Sequence, residues 1–101
     1  MTTSIHDNAE ETRFEITVDG ELAGYVDYTR EGDEYALPHT RVFSQFEGRG
    51  IGGQLITGAL TEIASRGGSV LPFCPFVNGY ISRHPEYVSL VPEDFRAEFG
   101  L

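Results

Sequence analysis

Phe46-Glu47-Gly48-Arg49-Gly50-Ile51-Gly52-Gly53 runs without a break into Gln54-Leu55-Ile56, and this stretch narrows most what the chain can become. Glycines at this density weaken strands and helix interiors, so they mark a loop. They also permit positive φ and let another molecule come close to the backbone. The segment after the loop has helical periodicity. Ile51, Leu55, Ile56, Ala59, Leu60, Ile63 and Ala64 share one face, and Gln54, Thr57, Thr61, Glu62, Ser65 and Arg66 lie opposite. A glycine loop feeding a helix leaves the first-turn N–H groups free at the positive end of the helix dipole. Such a site suits a phosphate, and best a pyrophosphate.

Before the loop the chain reads as strands. Residues 1–12 are polar and acidic without periodicity and predict a flexible N-terminal arm. From Arg13 the pattern alternates strictly, with Phe14, Ile16 and Val18 on one face and Glu15 and Thr17 on the other, which predicts a half-buried strand. Asp19-Gly20 supplies a two-residue hairpin turn. The return strand spans about Glu21 to Thr29, with Leu22, Val26 and Tyr28 toward the core. A second turn at Glu31-Gly32-Asp33 leads to a third strand, about Glu34 to Phe43, in which Pro38 removes a ladder donor and predicts a bulge or bend. After the helix, Gly67-Gly68 forms its stop, and Ser69-Val70-Leu71 is a short apolar strand. Strand, helix, strand makes a crossover, so the two strands should be parallel. Pro72-Phe73-Cys74-Pro75 breaks the last strand, and a short helix runs from about Phe76 to Arg83. Glu86 to Val91 reads as extended or irregular, and Pro92-Glu93-Asp94 resembles a helix start. The predicted fold class is α+β, with one compact domain over residues 13–101.

The 101 residues suit one domain. A formal charge of −9 argues against nucleic acid, which needs a basic footprint, and permits a cationic partner such as an amine. No apolar run is long enough to span a membrane, and no secretory signal is evident. The single cysteine makes no intrachain disulfide and fits a reducing cytoplasm. No cluster of Cys, His and carboxylates has metal-ligand spacing, so no metal site is expected. For its oligomeric state, a monomer or weak dimer is the expectation.

The glycine loop alone fits several phosphate binders. A dinucleotide-binding loop comes after the first strand of an alternating βαβ series, whereas antiparallel strands precede this one. A P-loop needs Gly-Lys-Ser/Thr at the helix start, and this chain has Gly52-Gly53-Gln54. Three antiparallel strands, this loop, then helix, strand, Cys-Pro and short helix resemble the GCN5-related N-acetyltransferase superfamily. Its acetyl-coenzyme A loop reads Gln/Arg-x-x-Gly-x-Gly/Ala, and Glu47-Gly48-Arg49-Gly50-Ile51-Gly52 matches it with Glu47 in the first slot. A closer likeness is to the small single-domain YidJ-like branch. It rests on His39-Thr40, Val42, the loop, Pro72-Phe73-Cys74-Pro75-Phe76, and Tyr80-Ile81, His84-Pro85 and Tyr87, and covers roughly residues 13–90.

The resemblance implies an acetyl-coenzyme A-dependent N-acetyltransferase acting on a small amine or a protein lysine. Amides of Gly48, Arg49, Gly50, Ile51, Gly52 and Gly53 would hold the pyrophosphate, with Arg83 and His84 as further phosphate contacts. A main-chain N–H at Val42 or Phe43 would polarise the thioester carbonyl. Cys74 is either a nucleophile, the role the branch implies, or a buried small hydrophobe. His39 is a candidate base, or a structural histidine bonded to a neighbouring main-chain group. Tyr80 could protonate the departing thiolate, the role larger relatives give a tyrosine on this helix, or could be a core tyrosine. A rival reading is a non-catalytic acyl-coenzyme A-binding or sensing module, toward which Glu47 points. A structural partner domain using a sheet edge has no positive feature behind it.

Overall fold

The computed structural model describes residues 2–101. Two small sheets share a hydrophobic core under one long helix. The first sheet holds β1 (Thr3–Asn8), β2 (Arg13–Val18), β3 (Glu21–Asp27) and β6 (Thr40–Val42), ordered β1-β2-β3-β6 and antiparallel throughout. The second holds β4 (Thr29–Glu31), β5 (Glu34–Ala36) and β7 (Ser69–Leu71), ordered β4-β5-β7. β5 and β7 are parallel, as the crossover through α1 (Ile51–Ser65) requires. Beyond them lie α2 (Pro75–Arg83), a 3₁₀ stretch over Pro85–Leu90, and α3 (Glu93–Arg96).

The local signals behave as their chemistry dictates. Asp19 and Gly20 sit at φ of 49° and 85°, the paired positive angles of a tight hairpin. On α1, Ile51, Leu55, Ile56, Ala59, Leu60 and Ile63 are buried, each large side chain contributing about 1.5–3 kcal/mol. Ala64 is exposed, so the apolar stripe ends one residue early. Gly67 N–H donates to Ala64 O at 3.0 Å and Gly68 N–H to Ile63 O at 2.9 Å, the two crossed bonds that close a helix C-terminus.

Four expectations change. The predicted arm is not loose over residues 3–8, which form β1 and pair with β2 from Thr3↔Val18 to Asn8↔Arg13. Its Ile5 packs at Gly58 of α1, where a Cβ would overlap it. A bulge on β3 moves the pairing from Thr17↔Leu22 to Ile16↔Gly24, so Ala23, not Leu22, is buried. Pro38 does more than bend the third strand: β5 and β6, on either side of it, join different sheets. Residues 86–90 belong to the 3₁₀ stretch rather than an extended one.

β1 also explains the one buried charged side chain among the described residues. Glu15, 7% exposed, takes hydrogen bonds from Arg13 Nε at 2.7 Å and Asn8 Nδ2 at 3.1 Å, with His6 Nε2 at 3.0 Å. Burial would raise its carboxyl pKa, but the Arg13 and Asn8 bonds and nearby positive charge outweigh that and hold it below the ordinary value of 4.5. A carboxyl depressed in the folded state stabilises fully above its unfolded pKa, and that stability is lost as pH falls through the folded value. Urea unfolding should therefore show stability declining below about pH 4.5, with a shallower decline in Glu15→Gln.

Candidate functional site

Pro38 opens the site. Leu37 N–H donates to Leu71 O at 3.0 Å and Cys74 N–H to Leu37 O at 2.8 Å, so the two parallel paths are tied up to this point. Beyond it the chain turns into β6 on one side and through Pro72-Phe73 into α2 on the other, leaving β6 with an unpaired edge. Phe43 N–H donates to Ala23 O at 2.9 Å, and Asp27 N–H to His39 O at 2.8 Å. Antiparallel ladders alternate, so Arg41 also faces β3 while the amides of Thr40 and Val42 point to the open edge. Of the two candidate carbonyl donors, Phe43 is thus engaged in the ladder and Val42 is free.

The glycine loop lies at the far end of that edge. Gly48 and Gly50 take φ of 80° and 73°, and Gly50 is the left-handed residue that begins α1. After Glu47, whose N–H donates to Ser44 O at 3.3 Å, the next amide with a protein acceptor is that of Gln54, bonded to Gly50 O at 3.2 Å. The amides of residues 48–53 donate to nothing else among the described residues. No side chain caps α1 and no carboxylate lies in its first turn, so its positive end is uncompensated. These features fit an anionic group held by main-chain donors. Arg49 lies 5.6 Å over the Phe46 ring, and Ile51 is buried beneath the loop.

Two contiguous cavities line the edge. One, about 260 Å³, is bordered by the loop with Val42 and Phe76. The other, about 340 Å³, is bordered by Thr40, Arg41, Val42, Glu47 and Phe76. A third hollow of about 320 Å³ lies elsewhere, between β1 and α1 around Asp7 and Glu62. It holds none of the groups named from the sequence, whereas the first two adjoin both the free strand edge and the loop.

Cys74, 6% exposed, is the N-cap residue of α2, and its Sγ donates to Thr40 Oγ1 at 3.4 Å behind the second cavity. His39 does not join it. Its ring, 58% exposed, has Nδ1 3.4 Å from Asp27 Oδ2 and lies 6.1 Å from the Tyr25 ring. Successive residues of a strand face opposite ways, which places His39 across β6 from Thr40 and the thiol. Tyr80 is also apart from Cys74: its hydroxyl bonds to Thr57 on α1 and its ring lies 3.9 Å from a Cβ placed on Gly53. Tyr80 stacks on His84 at 4.2 Å, near Tyr87, while Arg83 is exposed with its guanidinium beside Gly79. The structure therefore groups Tyr80 and His84 with the loop, and Thr40, Val42 and Cys74 with the strand edge. Phe76, which borders both cavities, was not singled out as a site residue from sequence. Its only signal there is its place directly after Cys74-Pro75.

An antiparallel sheet thus passes through a glycine loop and helix into a parallel strand, with a free strand edge facing the loop. Residues 13–90 match the family described as GCN5-related N-acetyl-transferase, and the chain belongs to it. Among solved structures, the chain is similar to a GCN5-like protein from Staphylococcus aureus, at 18% identity and TM-score 0.67 over 88% of this chain and 87% of that one. It is similar to Ard1 from Thermoplasma volcanium at 22% identity and TM-score 0.52, over 60% of this chain and 43% of that one. A third likeness, at 18% identity and TM-score 0.51, is to an aminoglycoside acetyltransferase from an uncultured soil metagenomic sample, over 79% of this chain and 56% of that one. At these identities the likeness concerns the fold. Nothing among the curated proteins matches the chain. None of the described helices is long and apolar enough to cross a membrane.

Proposed function

We propose that the chain transfers an acetyl group from acetyl-coenzyme A to an amine. The observation that carries this is the run of unpaired amides at residues 48–53 beside the free Val42 N–H. The loop amides bind the pyrophosphate, assisted by Arg83 and His84 at the end of α2. Val42 N–H donates to the thioester carbonyl oxygen, favouring the negative charge that develops there when the amine attacks. Coenzyme A then leaves as the thiol. The net charge of −9 suits an acceptor that arrives as a cation, a small amine or a lysine side chain.

Cys74 carries the chain's single thiol and lies behind Thr40 at this end of the groove. In a covalent variant of the reaction its thiolate takes the acetyl group, coenzyme A leaves as the thiol, and the amine then takes the acetyl group from Cys74. Tyr80 Oη is bonded to Thr57 Oγ1 on α1, with either hydroxyl able to donate, and its ring lies beside Gly53, so we assign it to the loop side. Release of thiol from acetyl-coenzyme A with a panel of amines tests the function. Turnover lost in Cys74→Ala but kept in His39→Ala marks the covalent route, and turnover kept in both marks direct attack. Binding of acetyl-coenzyme A without turnover on any amine would instead mark a binding module. The sequence contains no lysine, so acetylation of the chain's own lysines cannot obscure an acetyl-Cys74 adduct in mass spectra.

A further inference from the structure

Phe76 is a large apolar side chain left 43% exposed beside a binding groove. Its direction is fixed by α2. Cys74 N–H is held by Leu37 O, Cys74 O accepts Asn78 N–H at 2.9 Å, and Val77 and Ile81 are buried as an i, i+4 pair. Phe76 precedes that stripe by one position, a little over a quarter turn around the helix, and so is turned away from the core. The ring reaches across to α1. A Cβ placed on Gly52 would lie 2.7 Å from Phe76 Cζ and 3.5 Å from Val42 Cγ2, so the absence of a side chain at Gly52 is what admits the ring. Phe76 thus stands between the start of α1 and the edge of β6, in the wall that the two cavities share with Val42 and Glu47.

We propose that Phe76 is the specificity-determining wall of the groove: it packs against the linker joining the phosphates to the thioester, and so favours carriers with a pantetheine arm over nucleotides with the same phosphates. This role rests on the groove being the acetyl-coenzyme A site. A molecule with its phosphates at residues 48–53 and its reactive carbon beneath Val42 N–H must pass the ring. The ring offers an apolar face to a chain of methylenes and amides, which a nucleotide ending at the phosphates does not have.

Calorimetric titration with coenzyme A and, separately, with ADP tests this on wild type, Phe76→Ala and Phe76→Leu. Coenzyme A should bind Phe76→Ala about tenfold more weakly, Phe76→Leu should fall between, and ADP should bind all three alike. If wild type takes up coenzyme A and Phe76→Ala binds it equally well, the role of Phe76 falls and the groove assignment stands. If ADP and coenzyme A weaken by the same factor, Phe76 only shapes the loop and the proposed selectivity is overturned. If wild type takes up neither ligand, the groove assignment and this role fall together.

Discussion

Val42→Pro is expected to lower kcat by about 10²–10³ while leaving the chain folded and its affinity for coenzyme A close to wild type. Proline removes one N–H, and the ladder partners Phe43–Ala23 and Asp27–His39 show that this N–H is not the one β3 uses. β6 is an edge strand, where proline is tolerated, and the preceding Arg41 already has the extended backbone that proline favours. The change therefore removes the proposed carbonyl donor and little else. Phe43→Pro is the contrasting control, because it deletes the bond to Ala23 and should destabilise the sheet. Steady-state kinetics, with urea unfolding to confirm stability, decide the matter. Wild-type turnover in a folded Val42→Pro variant would rule out this amide as the donor.

Asp7→Ala is expected to lower stability by about 2 kcal/mol, a large effect for a residue in a segment whose sequence reads as a loose arm. Asp7 accepts from Tyr28 Oη at 2.8 Å and from Arg66 Nη1 at 3.0 Å, and Arg66 Nη1 also donates to Tyr35 Oη at 3.1 Å. The cluster joins β1, the end of β3, β5 and the C-terminus of α1, so one carboxylate links both sheets to the helix. Burial, then the bond to Asp7, pushes the Tyr28 phenol up to about 12. Bonding to Tyr35 and Asp7 raises the Arg66 pKa further, against the opposing effect of burial. Arg66 and Asp7 are partly exposed, which keeps the expected loss below that of a fully buried pair. Urea unfolding within about 0.5 kcal/mol of wild type would mean that β1 adds little to the fold.

The parts of this architecture that were legible in the sequence are those set by local chemistry. Alternation from Phe14 to Val18, the Asp19-Gly20 turn, the stripe on α1 and the Gly67-Gly68 stop each depend on a few neighbouring residues. β1 was not legible because only Ile5 in Thr3–Asn8 is strongly apolar, and its strand form comes from pairing with β2 and packing at Gly58. The burial of Glu15 was hidden for the same reason, since His6 and Asn8 lie on that strand. Pro38 announced a break but not that its two sides join different sheets, which depends on where β7 returns. In the site, the loop amides could be read from the glycines. That Phe43 N–H is taken and Val42 N–H is free required the ladder. The separation of His39 from Cys74 required it too, because strand parity is set by the pairing with β3.

The central claim, that the loop amides and Val42 N–H together receive the carrier, is tested most directly by amide-resolved NMR during titration with coenzyme A and then acetyl-coenzyme A. Resonances of residues 48–53 should shift with both ligands, and that of Val42 should respond further to the acetylated form. Unchanged amides at residues 48–53 at millimolar ligand, or shifts confined to a different surface, would contradict the account.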